Sequence, residues 1–185
     1  MKSIIVITGT PCTGKSTVSE RLAKAVRNCE LIKANELLKE KKLYSGRTKD
    51  GELIARMGPL RAEILKRVKG SKADLVIVEG HLLCDMDMPG ATAIVIREHL
   101  RTLLKRMRKR GYGNRKIEDN IVSEAIDYCG VNAAENYMSV YEVMGGSAAV
   151  KDILGIIKGT RKKSKEIDML GELNGLAKGL GKAVL

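Results

Sequence analysis

The feature that most constrains this chain is the run Gly9-Thr10-Pro11-Cys12-Thr13-Gly14-Lys15-Ser16, which satisfies G-x-x-x-x-G-K-[ST] at every fixed position. Its setting fits as well. Ser3 to Thr8 carries apolar and β-branched side chains on successive positions, the pattern of a strand buried on both faces of a parallel sheet. From Lys15 onward Val18, Leu22, Ala25 and Val26 recur at helical spacing. A strand, a Gly-rich turn and a helix in that order predict a loop whose backbone N–H groups, those of Gly9 and Thr13 included, surround phosphate oxygens at a helix N-terminus. Gly14 lets the backbone come close, Lys15 brings a point charge to the β/γ-phosphates, and the Ser16 hydroxyl is a Mg²⁺ ligand.

The rest of the chain supports an α/β sheet. Leu75 to Val78 and Ala93 to Ile96 are further buried strands with helical stretches between them, and Val140 to Val143 is a short strand candidate. Asn35 to Lys42 reads as a helix, Tyr44 to Glu52 as a polar loop, and Gly58-Pro59 as an interruption at which Pro59 restarts a helix carrying Leu60, Ile64, Leu65 and Val68. Leu100, Leu103, Leu104 and Met107 form a stripe ended by Gly111; Ile117, Ile121 and Ala125 form the next, and Val150 to Ile157 the last. The expected fold is a P-loop NTPase: a five-stranded parallel sheet flanked by helices over residues 1–158. Beyond it, 159–185 is a basic, Gly-rich appendage, partly helical or mobile.

Glu79 ends the strand that begins at Leu75, where P-loop enzymes hold Mg²⁺, usually through water. His81 follows, placed either to orient a water, to meet phosphate as an imidazolium, or simply to be hydrogen-bonded in place.

Charge narrows the partners. With 34 Lys+Arg against 22 Asp+Glu the chain carries +12. Residues 97–116 hold nine basic side chains against Glu98 alone, a local +8, and 159–185 adds +3. An anionic partner follows: nucleotide first, nucleic acid second. An Arg-rich helix ending in a turn suits a lid over a transferring phosphoryl group, with Arg97, Arg106 and Arg110 as clamps. With no Phe, no Trp and five Tyr, no aromatic platform for stacking bases is present and the core must be aliphatic. Cys12, Cys29, Cys84 and Cys129 are dispersed, which indicates neither a zinc site nor a disulfide framework and fits a reducing cytoplasm. Ile4 to Ile7 is too short for a membrane span.

Taken together, Gly-Thr-Pro-x-x-Gly-Lys-Ser-Thr at 9–17, Val-Glu-Gly-His-Leu at 78–82, Val-Ile-Arg at 95–97, Lys-Arg-Gly-Tyr at 109–112, Lys-Ile-Glu-Asp-Asn at 116–120 and Val-Tyr-Glu-Val at 140–143 resemble the adenylate kinase isoenzyme 6 family of archaea and eukaryotes. The resemblance covers about residues 3–158. It implies a broad-specificity nucleoside monophosphate kinase with ATPase activity, using ATP and Mg²⁺ with AMP as acceptor, and an assembly factor that meets a small-subunit ribosomal protein during rRNA maturation. By position it implies that Cys12, Gly14, Lys15, Ser16 and Thr17 bind ATP phosphates. Residues 33–55 would form the monophosphate-binding region and 109–119 the lid, with Arg106 and Arg110 on ATP. Met144-Gly145 would lie by the adenine, and His81 would be the histidine of the Walker-B-like strand end. Lys15, Arg110, Glu79 and His81 are the expected catalytic groups, with Ser16 and Glu79 on the metal.

The chain departs from the family in three places: Cys12 where Gly is usual, Arg56-Met57-Gly58-Pro59 where acidic residues are common, and Met144-Gly145-Gly146 in the turn after the last strand. They leave open an ATP-driven assembly factor with weak or no kinase turnover, or a nucleotide-gated binding module. Sugar and shikimate kinases share the same opening by fold alone.

Overall fold

The computed structural model describes residues 2–48, 51–161 and 167–180, the side chains of 177–180 excepted. The basic run 162–165 lies outside the described residues. Five parallel strands, β1 (Ser3–Thr8), β2 (Cys29–Lys33), β5 (Leu75–Glu79), β6 (Ala91–Arg97) and β7 (Ser139–Met144), form one sheet in the order β2-β5-β1-β6-β7. β3 (Tyr44–Arg47) and β4 (Leu53–Ala55) form a separate antiparallel pair. The helices are α1 (Lys15–Ala25), α2 (Ala34–Glu40), α3 (Met57–Gly70), α4 (Leu100–Lys109), α5 (Asn114–Ala125), α6 (Tyr128–Asn136), α7 (Ala149–Ile157) and α8 (Leu170–Leu180), with a 3₁₀ turn at His81–Asp85.

The alternation of side chains along each central strand sorts the core into two layers. Val6, Val76, Val78, Ala93 and Val95 face Leu60, Ile64 and Val68 of α3 and Ala133 of α6. Ile5, Ile7, Ile77, Ile94 and Ile96 face Val18 and Leu22 of α1 and Ala149 and Ile153 of α7. Both faces are covered, so these strands read as continuous apolar runs. A third cluster joins Leu100, Leu103, Met107, Ile117 and Ile121 to Cys12, Met169 and Leu176.

Several sequence expectations need correction. Tyr44 to Glu52 is not a plain polar loop: Tyr44 pairs with Ala55 and Arg47 with Leu53 in a hairpin whose short strands are only half buried, which hides their alternation. β2 and α6 carry weak local signals: β2, an edge strand, fully buries only Ile32, and α6 opens on Asp127 in the left-handed region rather than on an apolar stripe. Pro59 does not interrupt its helix. It occupies the first turn of α3, where the N–H it lacks would have no intrahelical acceptor. Within the appendage α8 is helical, and Met169 and Leu176 are buried against α4 and α5. Among the described residues no helix is long and apolar enough to cross a membrane.

Candidate active site

β1 delivers the chain into the phosphate loop, and packing fixes the loop's shape. A Cβ at Gly9 would stand 2.4 Å from the Ile96 carbonyl oxygen, so only glycine fits there. Gly14, at φ 100°, caps α1 without a side-chain hydrogen bond, and no acid lies in the helix's first turn. The unbonded N–H groups of that turn are therefore free to meet an anion. Cys12 holds φ 72°, a region that disfavours residues with a Cβ.

Lys15 is buried, and its ammonium donates to the carbonyls of Gly9 (2.8 Å) and Thr10 (2.9 Å). Burial lowers its pKa, while the nearby Glu79 carboxylate opposes that shift. Glu79 is buried at the C-terminal end of β5, in register with Ile7 and Lys33 on its neighbours. Burial raises its pKa, partly offset by Lys15 and by a hydrogen bond donated by the Ser16 hydroxyl at 3.3 Å. A hydroxyl and a carboxylate at this spacing are hard oxygen donors of the kind Mg²⁺ takes, and together with the uncapped α1 terminus they fit a metal–nucleotide phosphate group. Thr10 Oγ1, in the same loop, is buried without a hydrogen-bond partner among the described residues.

Pro11, Cys12, Gly14, Lys15, Ser16, Thr17, Glu79, His81 and Arg110 line one cleft of about 250 Å³, joined by Asn35, Glu52 and Tyr112. Thr13 is buried below it, its hydroxyl donating to the Thr10 carbonyl (3.0 Å). Burial, with Lys15 nearby, pulls the His81 pKa down to about 4, which favours the neutral ring. Arg110 donates to Cys12 Sγ at 3.3 Å. Arg106 donates to the Cys12 carbonyl (3.1 Å) and pairs with Glu98 (2.8 Å). Gly145 packs against the far side of the loop, where a Cβ would come within 2.8 Å of the Thr13 carbonyl, and Met144 packs into the cluster that includes Cys12.

Arg97 does not reach this cleft. It is 1 % exposed and held by Glu124 (3.0 Å), Glu142 (3.0 Å) and Asp127 (2.5 Å), so its expected role as a phosphate clamp is corrected to that of a buried structural cation. Asn35 and Glu52, not singled out in the sequence, lie within the expected monophosphate-binding region 33–55, and Glu98 lies outside any expected site. Glu52 accepts a hydrogen bond from Lys116 of α5, whose ammonium sits 4.0 Å over the Tyr112 ring, so the hairpin and α5 meet across the cleft mouth. No local motif marks Glu52; only its distant partner does. A second hollow of about 570 Å³, lined by Leu38, Lys39, Tyr44, Arg47, Leu53 and Ala55, shares Asn35, Glu52 and His81 with the first.

A protein-family model described as "AAA domain" matches residues 5–127, a stretch that contains the phosphate loop, Glu79, His81, Arg106 and Arg110. A protein of Pyrococcus furiosus named "Putative adenylate kinase" is 34 % identical over 140 residues, covering 76 % of this chain and 73 % of that protein. A namesake from Methanosarcina mazei is 33 % identical over 173 residues, covering 84 % and 85 %. The chain belongs to this family of archaeal adenylate-kinase-like P-loop proteins. Within the family's fold, shikimate kinase from Aquifex aeolicus superposes with a TM-score of 0.57 at 22 % identity, covering 85 % of this chain and 97 % of that one. The tunicamycin resistance protein of Deinococcus radiodurans superposes with a TM-score of 0.59 at 15 % identity, covering 85 % and 96 %. At such identity these two likenesses establish the shared α/β P-loop kinase fold and nothing finer.

Proposed function

We propose that this adenylate-kinase-like protein transfers the terminal phosphoryl group of ATP to a nucleoside monophosphate, with AMP as the first acceptor to test. The observation that carries the reading is the convergence of Lys15, Ser16, Glu79, His81 and Arg110 on one cleft that shares Asn35, Glu52 and His81 with a second, larger hollow. A donor and an acceptor nucleotide need two such adjoining sites with their phosphates at the junction.

In this reading residues 1–158 are the kinase domain, 33–55 the monophosphate-binding region, 109–119 the lid and 159–185 an extension. The loop amides from Gly9 to Thr17 and the α1 terminus hold the ATP phosphates. The Lys15 ammonium leaves its two loop carbonyls to meet the β/γ oxygens, and Arg110 neutralises charge on the transferring group. Ser16 and Glu79 are the residues that would hold Mg²⁺, which would supply charge neutralisation at the phosphates. Neutral His81 can accept or donate one hydrogen bond to a water or hydroxyl without adding charge. Arg106 holds the loop through Cys12, and Met144-Gly145 flank the adenine. An assay of ADP formed from ATP with each monophosphate, and from ATP with water alone, tests the reading. Tight ATP binding without ADP from any acceptor overturns it.

A second reading, an ATP-driven factor in small-subunit ribosome assembly, is favoured by Arg101, Lys105, Arg108 and Lys109. These side chains are exposed on α4 and pair with no acid among the described residues. Capture of ribosomal protein or rRNA that changes with ATP separates it from a purely metabolic kinase.

A further inference from the structure

Two cysteines that the sequence scatters 45 positions apart meet in the fold. Cys84 lies near the end of the 3₁₀ turn and Cys129 in the first turn of α6; both are buried, with their sulfur atoms 3.6 Å apart. The same helix and its C-cap grip the turn through four further hydrogen bonds. Tyr137 donates to the Leu83 carbonyl (2.7 Å), Asn136 to the Cys84 carbonyl (3.0 Å), and Asn132 (2.7 Å) and Tyr128 (3.1 Å) to the Asp85 carboxylate. The sulfur pair is therefore held in place by backbone and side-chain anchors on both sides.

We propose that Cys84 and Cys129 are a redox modification site, a thiol pair that a peroxide oxidises to an internal disulfide stapling α6 to the turn that begins at His81. The two thiols differ in character. The sulfur–sulfur hydrogen bond pulls the Cys84 thiol pKa down and, together with burial, pushes that of Cys129 up. Either sulfur can attack first, since both routes end in the same disulfide. The attacking thiolate takes one oxygen of the peroxide O–O bond, giving a sulfenic acid and hydroxide, which with the thiol's proton makes water (an alcohol from an alkyl peroxide). The other cysteine then attacks that sulfur and expels the sulfenic oxygen as a second water, its own proton completing the balance. Two thiols lose two electrons and two protons, and the O–O bond is reduced.

Access is through the start of α6. Its flanking residues Tyr128 and Val131 are exposed, and the first turn is held by one cap, the Asp127 carboxylate accepting from the Gly130 N–H at 3.1 Å. Opening of that turn admits a small oxidant. His81, at the other end of the 3₁₀ turn, lines the candidate active cleft, so the staple reaches the site through its backbone.

The test needs no nucleotide, so its failure is distinct from failure of the kinase reading. The full chain is treated with graded hydrogen peroxide, blocked with a thiol alkylator, digested without reductant and mapped by mass. The expected result is one cross-linked peptide joining Cys84 to Cys129, lighter by two hydrogens and restored by dithiothreitol, formed while Cys29 is still alkylated. Cys84→Ser and Cys129→Ser, made separately, each abolish that peptide. Recovery of both residues as free thiols, as separate sulfinic acids, or joined to Cys12, Cys29 or a second chain overturns the proposal.

Discussion

Arg106 of α4 donates to the carbonyl oxygen of Cys12 at 3.1 Å, which ties the basic helix to the phosphate loop at the residue with the least favourable backbone angle in that loop. Glu98, 2.8 Å from the same guanidinium, orients it. The loop is therefore shaped from outside as well as by its own glycines.

Cys12 at φ 72° makes the first prediction. A side chain in the left-handed region costs about 1–2 kcal/mol, and a β-branched one more. Cys12→Gly is expected to keep ATP binding within a few-fold of wild type. Cys12→Val is expected to weaken it by roughly tenfold or more, since the strain opposes the loop geometry that holds phosphate. Titration calorimetry with ATP on both variants decides the matter; equal affinities would remove backbone strain from the account.

Lys15 is the second. Its ammonium is the one side-chain charge inside the loop, and losing such a donor in a preorganised site costs on the order of 10²–10³ in turnover. Lys15→Met is expected to lose that much ATP turnover while keeping the wild-type far-ultraviolet circular dichroism spectrum.

Glu79 combines function and stability with opposite signs. Burial raises its folded-state pKa above the unfolded value of about 4.3, so the fold binds its proton more tightly than the open chain does. Stability from this group is greatest below about pH 4 and falls as pH rises through the raised value. Glu79→Gln carries no such loss. The variant is expected to unfold at higher urea than wild type at pH 7 and to turn over ATP far more slowly, and a lower urea midpoint would contradict the electrostatic argument.

Arg97 bears on the fold rather than the cleft. Truncating it to Met leaves Glu124, Asp127 and Glu142 facing one another without their shared cation, a loss of about 3–5 kcal/mol by analogy with other broken buried ion pairs. Urea unfolding measures this. In Arg97→Lys, which keeps a charge, the KM for ATP is expected to stay at the wild-type value, as a residue remote from phosphate requires.

His99 and Glu172 link α8 to the start of α4. The imidazole Nδ1 lies 2.5 Å from the carboxylate, whose other oxygen accepts from the Leu100 N–H at 2.9 Å. That hydrogen bond raises the His99 pKa above its unfolded value of about 6.5. The stabilisation is complete below that unfolded value and disappears as pH rises through the higher folded one. The melting-temperature difference between wild type and Glu172→Gln is expected to be largest near pH 5.5 and to shrink toward pH 8.5.

How much of this was legible beforehand depends on distance along the chain. The phosphate loop, the buried strands β1, β5 and β6 and the acid at Glu79 are written in contiguous residues, because a strand's alternation and a loop's glycines are local requirements. β2 hid because an edge strand buries one residue fully and leaves the rest mixed. The hairpin hid because its four- and three-residue strands are too short to show a period.

The sequence alone determined that this chain builds a parallel α/β sheet with a phosphate loop at one strand end, since close backbone approach and burial on both faces restrict which residues can stand at each step. Only the tertiary structure decided what the basic residues do. Of the arginines in the +8 stretch, Arg97 turns inward to three carboxylates, Arg106 holds the loop and Arg110 meets the cleft. Glu52 acquires Lys116, 64 positions away, and Cys84 acquires Cys129. A charge or a thiol has no spacing rule of its own. Its role is set by which partners the packed layers bring within reach, and that is a property of the fold.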